Sequence, residues 1–159
     1  MGLLISYFVL NRIDALLQNG DFNFGIIAYE LAGNLAASQQ IIHEWTVRNV
    51  IHLAAFSLGF DYVFMLFYVS FLALWTASLS YGFHKRPYRI LAGFIIGFFI
   101  AAGILDGIEN YALMNLLGES ASQNWSETAF YCASLKFSLI GLGIVYNIIV
   151  SVGKLIVRP

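Results

Sequence analysis

At 159 residues, 60% hydrophobic and only 11% charged, the chain is one domain long but holds less than half the roughly 25% of charged residues usual in a soluble domain. The net charge of −1 offers no basic surface and excludes nucleic acid as a partner, while the single cysteine, Cys132, excludes an internal disulfide and a thiolate metal cluster. The apolar excess points to a membrane, where one spanning helix takes about 20 mainly apolar residues.

Residues 1–18 read as a first span, apolar to Leu10 and then carrying Asn11, Arg12 and Asp14. A signal peptide would open on basic residues and close on a small-residue cleavage site. Met1-Gly2-Leu3-Leu4 is uncharged, so the segment is expected to be retained. Asn19-Gly20-Asp21 is a turn signal. Residues 22–48 are too polar to span and read as a helical cap of two short helices, about 24–32 and 35–47, divided at Gly33-Asn34. In the second of these Ile41, Ile42 and Trp45 share a side, which suits a helix lying along the interface with Trp45 at the headgroups.

A second span is expected over 53–81, rich in phenylalanine with one acid, Asp61. The basic loop from His84 to Arg89 leads into a third span, about 90–117, with Pro87 near its start and Gly118 at its end. Asn124 and Glu127 have capping-box spacing before a fourth span, about 127–153, whose one internal charge is Lys136. Lys85, Arg86, Arg89, Lys154 and Arg158 fall on one side of such a bundle, against Arg48 on the other. The positive-inside rule then makes both termini cytoplasmic and the cap extracytoplasmic. The expected fold is an all-α integral membrane four-helix bundle forming a single domain, 1–159.

Charged residues in hydrocarbon are costly, and they are kept where something pairs with them or uses them. At about 1.5 Å of rise per residue, Asp61, Glu109 and Lys136 each lie about 12 Å in from the outer ends of their spans, and Asp106 about 4 Å deeper. Asp106, Glu109 and Asn110 stand at i, i+3 and i+4 and share a face that lipid cannot satisfy. Asp61, Met65 and Tyr68 make a second inward stripe. Arg12 and Asp14 reach a similar depth on the first helix. The layer formed by Arg12, Asp14, Asp61, Asp106, Glu109 and Lys136 carries a net −2, or −3 if Glu30 dips in from the cap. Gly93-x-x-x-Gly97 and Gly103-x-x-x-Gly107 would let neighbours approach the third span and make it the packing centre.

Two readings of this layer stand side by side. Salt bridges of Arg12 with Asp14 or Asp61, and of Lys136 with Asp106 or Glu109, would fix helix register. Alternatively Asp61, Asp106, Glu109, Asn110 and Tyr68, with Lys136 and Arg12 as counter-charges and Glu30 from the cap, form a pocket for a cation, a proton or a small polar headgroup. Metal and cofactor are not expected. His43 and His84 lie outside the spans, His52 sits near the outer boundary, and no Glu-x-x-His pair is present. No Ser/His/Asp arrangement, Walker loop or Gly-x-Gly-x-x-Gly assigns catalytic residues. The rival functions are an accessory subunit of a larger membrane complex and, third, a lipid-modifying enzyme. Membrane lipid, a second copy or a larger complex are the expected partners.

Tyr29-Glu30-Leu31-Ala32, Trp45, Asp61-Tyr62-x-Phe64-x-x-x-Tyr68, Leu105-Asp106-x-x-Glu109-Asn110 and Lys136-Phe137 together give the chain a resemblance. It resembles a group of small, uncharacterised four-span bacterial inner-membrane proteins, with a Phe-Glu-Leu-Ala-type motif outside and Asp-x-x-Glu-Asn in the third span. Tyr29 stands where that group has phenylalanine. The resemblance implies the topology and the inner membrane, and it implies no activity.

Overall fold

A computed structural model describes residues 1–19, 25–81, 83, 85–118 and 120–157, with the side chains of 155–157 outside the description. The described residues form six α-helices and no strand: α1 (Gly2–Gln18), α2 (Ile26–Glu30), α3 (Leu35–Val47), α4 (Ile51–Ser80), α5 (Arg86–Leu117) and α6 (Gln123–Val157). Three of them are long and apolar enough to cross a membrane: α4, α5 and residues Gln123–Lys154 of α6, with mean hydropathies of 1.8, 2.2 and 1.9. Only 17%, 33% and 17% of their most apolar stretches are buried in the protein. Helices apolar on every side, with most of that surface uncovered, need a hydrocarbon solvent.

α1 is shorter. Its 17 residues rise about 25 Å, below the roughly 30 Å of a bilayer core. It packs along α4, α4 along α5, and α5 most extensively along α6. α5 is the centre of this packing, and Phe99, Ala102, Ala112 and Leu113 on it are fully buried.

The two pairs of spaced glycines on α5 behave differently. A methyl group added at Gly103 would stand 2.8 Å from Val69 of α4, and one at Gly107 would touch Tyr62. Gly93 and Gly97 meet nothing within 4 Å. They do not bring a neighbouring helix of this chain close, contrary to the sequence expectation, because they lie on the opposite end and flank of α5. Close approach also occurs where no spaced pair marks it: a side chain at Gly143 of α6 would collide with the Phe99 ring.

Boundaries shift in informative places. α6 starts at Gln123 rather than near 127, and Asn124 does not cap it. Gln123 instead bonds Glu127 (Nε2 to Oε1, 2.7 Å), and its Oε1 accepts the Leu35 N–H from α3 (2.9 Å). α5 begins at Arg86 with Pro87 in its first turn, so Arg86 and Arg89 belong to the helix and Lys85 stands at its N-cap. His84 and the Gly20-Asp21 part of the expected turn lie outside the described residues. The cap helices come close to expectation: Gly33 has φ 71°, and Asn34 Oδ1 accepts the Ala37 N–H at 2.9 Å to start α3. Asn49, at φ 56°, turns the chain from α3 into α4.

The face of α3 is a correction. Ile41 and Trp45 do not look toward headgroups; Trp45 is wholly buried, with its ring 5.2 Å from that of Tyr29, in a core shared with Leu17, Leu58 and Leu113. The apolar side of α3 is where the sequence puts it, but the large apolar surface available on α4 and α5 outcompetes an interface.

Candidate functional site

The cap is stapled to the long helices at several points, and the staples set the position of Glu30. Asp14 of α1 accepts the Ile26 N–H at 2.6 Å and so occupies the N-terminus of α2, while Gln18 Nε2 holds its other oxygen at 2.6 Å. A side chain at Gly25 would stand 2.6 Å from that Asp14 carboxylate and close to the Gln18 amide, so both would have to shift to admit one. Arg48, after α3, donates to the carbonyls of Leu17 (2.6 Å) and Leu16 (2.7 Å) at the end of α1. Tyr29 donates its hydroxyl to the Leu113 carbonyl of α5 (3.0 Å), and its burial pushes the phenol pKa well up. Ser38 and Ser126 meet at 2.8 Å between α3 and α6. Glu30, the last residue of α2, is thereby held over the ends of α4, α5 and α6.

Beneath it the structure brings together most of the residues singled out from sequence. The Lys136 ammonium of α6 donates to Asp106 Oδ1 (2.9 Å) and to Glu109 Oε1 (3.0 Å), and lies 2.8 Å from Glu109 Oε2 and 3.6 Å from Glu30 Oε2. Tyr68 of α4 donates its hydroxyl to the second oxygen of Asp106 at 2.8 Å. Asn110 donates to Asp61 Oδ2 at 2.7 Å. Lys136 is 5% exposed, Asp106 3% and Glu109 0%, so water does little to screen them. One ammonium therefore serves three carboxylates. The fourth, Asp61, is half-buried and has an amide but no ion pair among the described residues.

Glu30 registers this crowding. Burial pushes its pKa up to about 7; Lys136 opposes that rise, Asp61 and Asp106 add to it, and a hydrogen bond with Glu109 offsets a little. Its Oε2 has no hydrogen-bond partner among the described residues.

Two predicted members stand apart. Arg12 is exposed and is not part of this cluster or its cavity, because it lies on the outer side of α1 while Asp14 faces inward. Asp14 lines the cavity but is committed to the start of α2. The counter-charge of the layer is thus Lys136.

A cavity of about 550 Å³ opens beside the cluster, within the ~300–1,000 Å³ usual for small-molecule sites. Its polar lining includes Glu30, Asp61, Asp106, Asn110 and Lys136, with Asn11 and Asp14 of α1 and the Tyr68 hydroxyl beside them. Sequence reasoning missed Ser57 in this wall, the cavity's apolar extension, and a second buried polar contact, Thr76 with Asn147 at 2.9 Å. An asparagine inside the fourth span was the available signal for the last. Among the described residues, no group of three or more His, Cys, Asp or Glu is placed to hold a metal ion. No family model, curated protein or solved structure matches the chain.

Proposed function

We propose that this is a multi-pass protein of the bacterial inner membrane whose acid-rich pocket, in the outer half of the bilayer, binds a cation, a proton or a small polar headgroup. α1 is the fourth span, thinning the bilayer or ending at the headgroups. Both termini lie in the cytoplasm, and α2 and α3 form the outer lid. Lys154 supports this orientation: its ammonium bonds the Leu79 carbonyl and lies 5.1 Å from the Phe83 ring centre, which puts it at the same end of the helices as Lys85, Arg86 and Arg89.

The observation that carries the reading is Asp61, a carboxylate on a cavity wall whose neighbour Lys136 is already engaged by three other acids. Intramembrane acids outnumbering their bases are a functional signature. The test is thermal unfolding of the purified protein in lipid nanodiscs, with added ethylammonium or ethanolamine and with pH jumps that follow proton uptake. The wild type is expected to be stabilised by an amine or to take up protons, and Asp61→Asn to fold and lose the response. Equal responses from both proteins, or none from the wild type, would overturn it.

A second reading, an accessory subunit, is favoured by one feature. The shallow groove over Gly93 and Gly97, edged by Ile90, Phe94 and Phe98, is free for a partner's helix. Co-purification in mild detergent tests it.

A further inference from the structure

The cavity beside the charged cluster has a second half of opposite chemistry. Below Asp61 its walls are Phe64, Phe71 and Leu72 of α4, Leu3 of α1, and Ile140 and Ile144 of α6. It exists because α1 packs on α4 and α6 packs on α5, while α1 and α6 scarcely touch. The flank between them is left as a slot with α4 as its floor. From Asp61 to Leu72 the slot runs about 16 Å along α4, close to the ~15 Å depth of one leaflet of a 30 Å hydrocarbon core. The polar end lies under the cap, and away from it the lining turns mainly apolar, with Asn11 and Tyr7 of α1 and Tyr68 of α4 carrying the polar atoms there.

A bare cation or proton would use only the upper end of this space. The lower end asks for hydrocarbon, since a slot of that size lined by Leu, Ile and Phe is poor ground for water. The head that suits the upper end follows from charge. Glu30, Asp61 and Asp106 face the cavity with Lys136 as the only base there among the described residues, so an anionic phosphate meets repulsion and an ammonium meets acids that share a single lysine. Glu30 adds an independent sign: it is nine-tenths buried, and its Oε2 is without a hydrogen-bond partner among the described residues.

We propose that the pocket takes a single-chain amphiphile with a cationic amine head, its chain in the α1–α4–α6 slot and its nitrogen between Asp61 and Glu30. This rests on the pocket reading above and adds the tail to it.

The test uses the full chain in nanodiscs of a zwitterionic choline lipid. Hexadecylamine, butylamine and hexadecyl phosphate are compared by thermal unfolding, and a diazirine-bearing hexadecylamine is mapped by cross-linking. Hexadecylamine is expected to stabilise at a concentration at least about tenfold lower than butylamine, the gain coming from buried methylenes. It should label the slot residues, and hexadecyl phosphate should do neither. Ile144→Trp, or Leu3→Trp from the opposite wall if the first does not fold, should remove the advantage of the long chain and keep the butylamine response. Butylamine matching hexadecylamine, or a slot-filling variant that leaves the long-chain advantage intact, overturns the tail while the head site stands. Hexadecyl phosphate working as well as hexadecylamine overturns the amine head. Failure of both amines, with no Asp61-dependent proton uptake, overturns the pocket reading itself.

Discussion

Two buried polar contacts join the long helices, and they are built on different principles. Near the cap, Lys136 of α6 meets Asp106 and Glu109 of α5 and Glu30 of α2. About 16 Å further along α6, Asn147 Oδ1 accepts a hydrogen bond from Thr76 of α4 at 2.9 Å, both side chains fully buried. The lower contact is neutral and local, and Thr76 also bonds the Leu72 carbonyl of its own helix at 3.0 Å. The upper one concentrates charge without balancing it, lies beside a cavity, and is closed over by a separate segment of chain. A pair that only pins two helices needs no lid and no free space. The upper cluster has both, and the proposed pocket rests on that difference.

The largest loss belongs to Lys136. Removing one partner of a buried ionic network leaves the others uncompensated, which costs about 3–5 kcal/mol. Lys136→Met should lose stability of that order in chemical unfolding in mild detergent. Glu109→Gln placed on top of it should recover part of the loss by removing one stranded charge. A loss near that of the neutral contact would mean that the acids pair among themselves by sharing protons and that the ammonium is dispensable.

Glu30 makes the upper cluster sensitive to pH. It faces Lys136 from α6, Asp106 and Glu109 from α5 and Asp61 from α4. Its pKa is raised from the ordinary 4.5 to about 7, chiefly by burial, so the docked cap retains a proton that the open one releases. The contribution to docking is complete below pH 4.5 and is lost as pH rises through about 7. Hydrogen exchange of the α2 amides, corrected for the intrinsic rate, should therefore show at least about tenfold less protection at pH 8 than at pH 5. Glu30→Gln should flatten that dependence. The Thr76–Asn147 contact has no titrating member, and amides flanking it should show none.

Much of this architecture can be read from residue pattern, and the misses share a cause. Charge depth along helices is additive geometry, so the meeting of Asp106, Glu109 and Lys136 follows from 1.5 Å per residue. Facing is not additive. Arg12 and Asp14 are two residues apart, and which of them turned inward depended on the α2 N-terminus needing an acceptor. Trp45 carried the composition of an interface residue, and only the core it shares with Tyr29 of α2, Leu58 of α4 and Leu113 of α5 shows why it is buried. The glycines teach the same lesson and yield a prediction. Gly143→Ala drives a methyl into the buried Phe99 ring, and overpacking of that kind costs about 1–3 kcal/mol. Gly93→Ala, facing open space, should be neutral or slightly stabilising through helix propensity. Spacing alone would have ranked Gly93 above Gly143.

The smallest expected effect lies at the lower contact and bears most directly on the contrast. Interhelical hydrogen bonds in membranes average only about 0.6 kcal/mol, because in the separated state the same groups find other partners. Thr76→Val keeps the β-branched shape and removes the hydroxyl that reaches Asn147. Its cost should be close to that average, several-fold below Lys136→Met in the same unfolding assay. Asn147 already has an Nδ2 with no hydrogen-bond partner among the described residues, so losing Thr76 leaves a buried amide with nothing bonded at either end. A cost of 2 kcal/mol or more, above the ~1.7 kcal/mol maximum for such bonds, would mean that this contact does more than pin two helices. The lower contact would then be a site in its own right, and the division between a working cluster and a packing pair would fall.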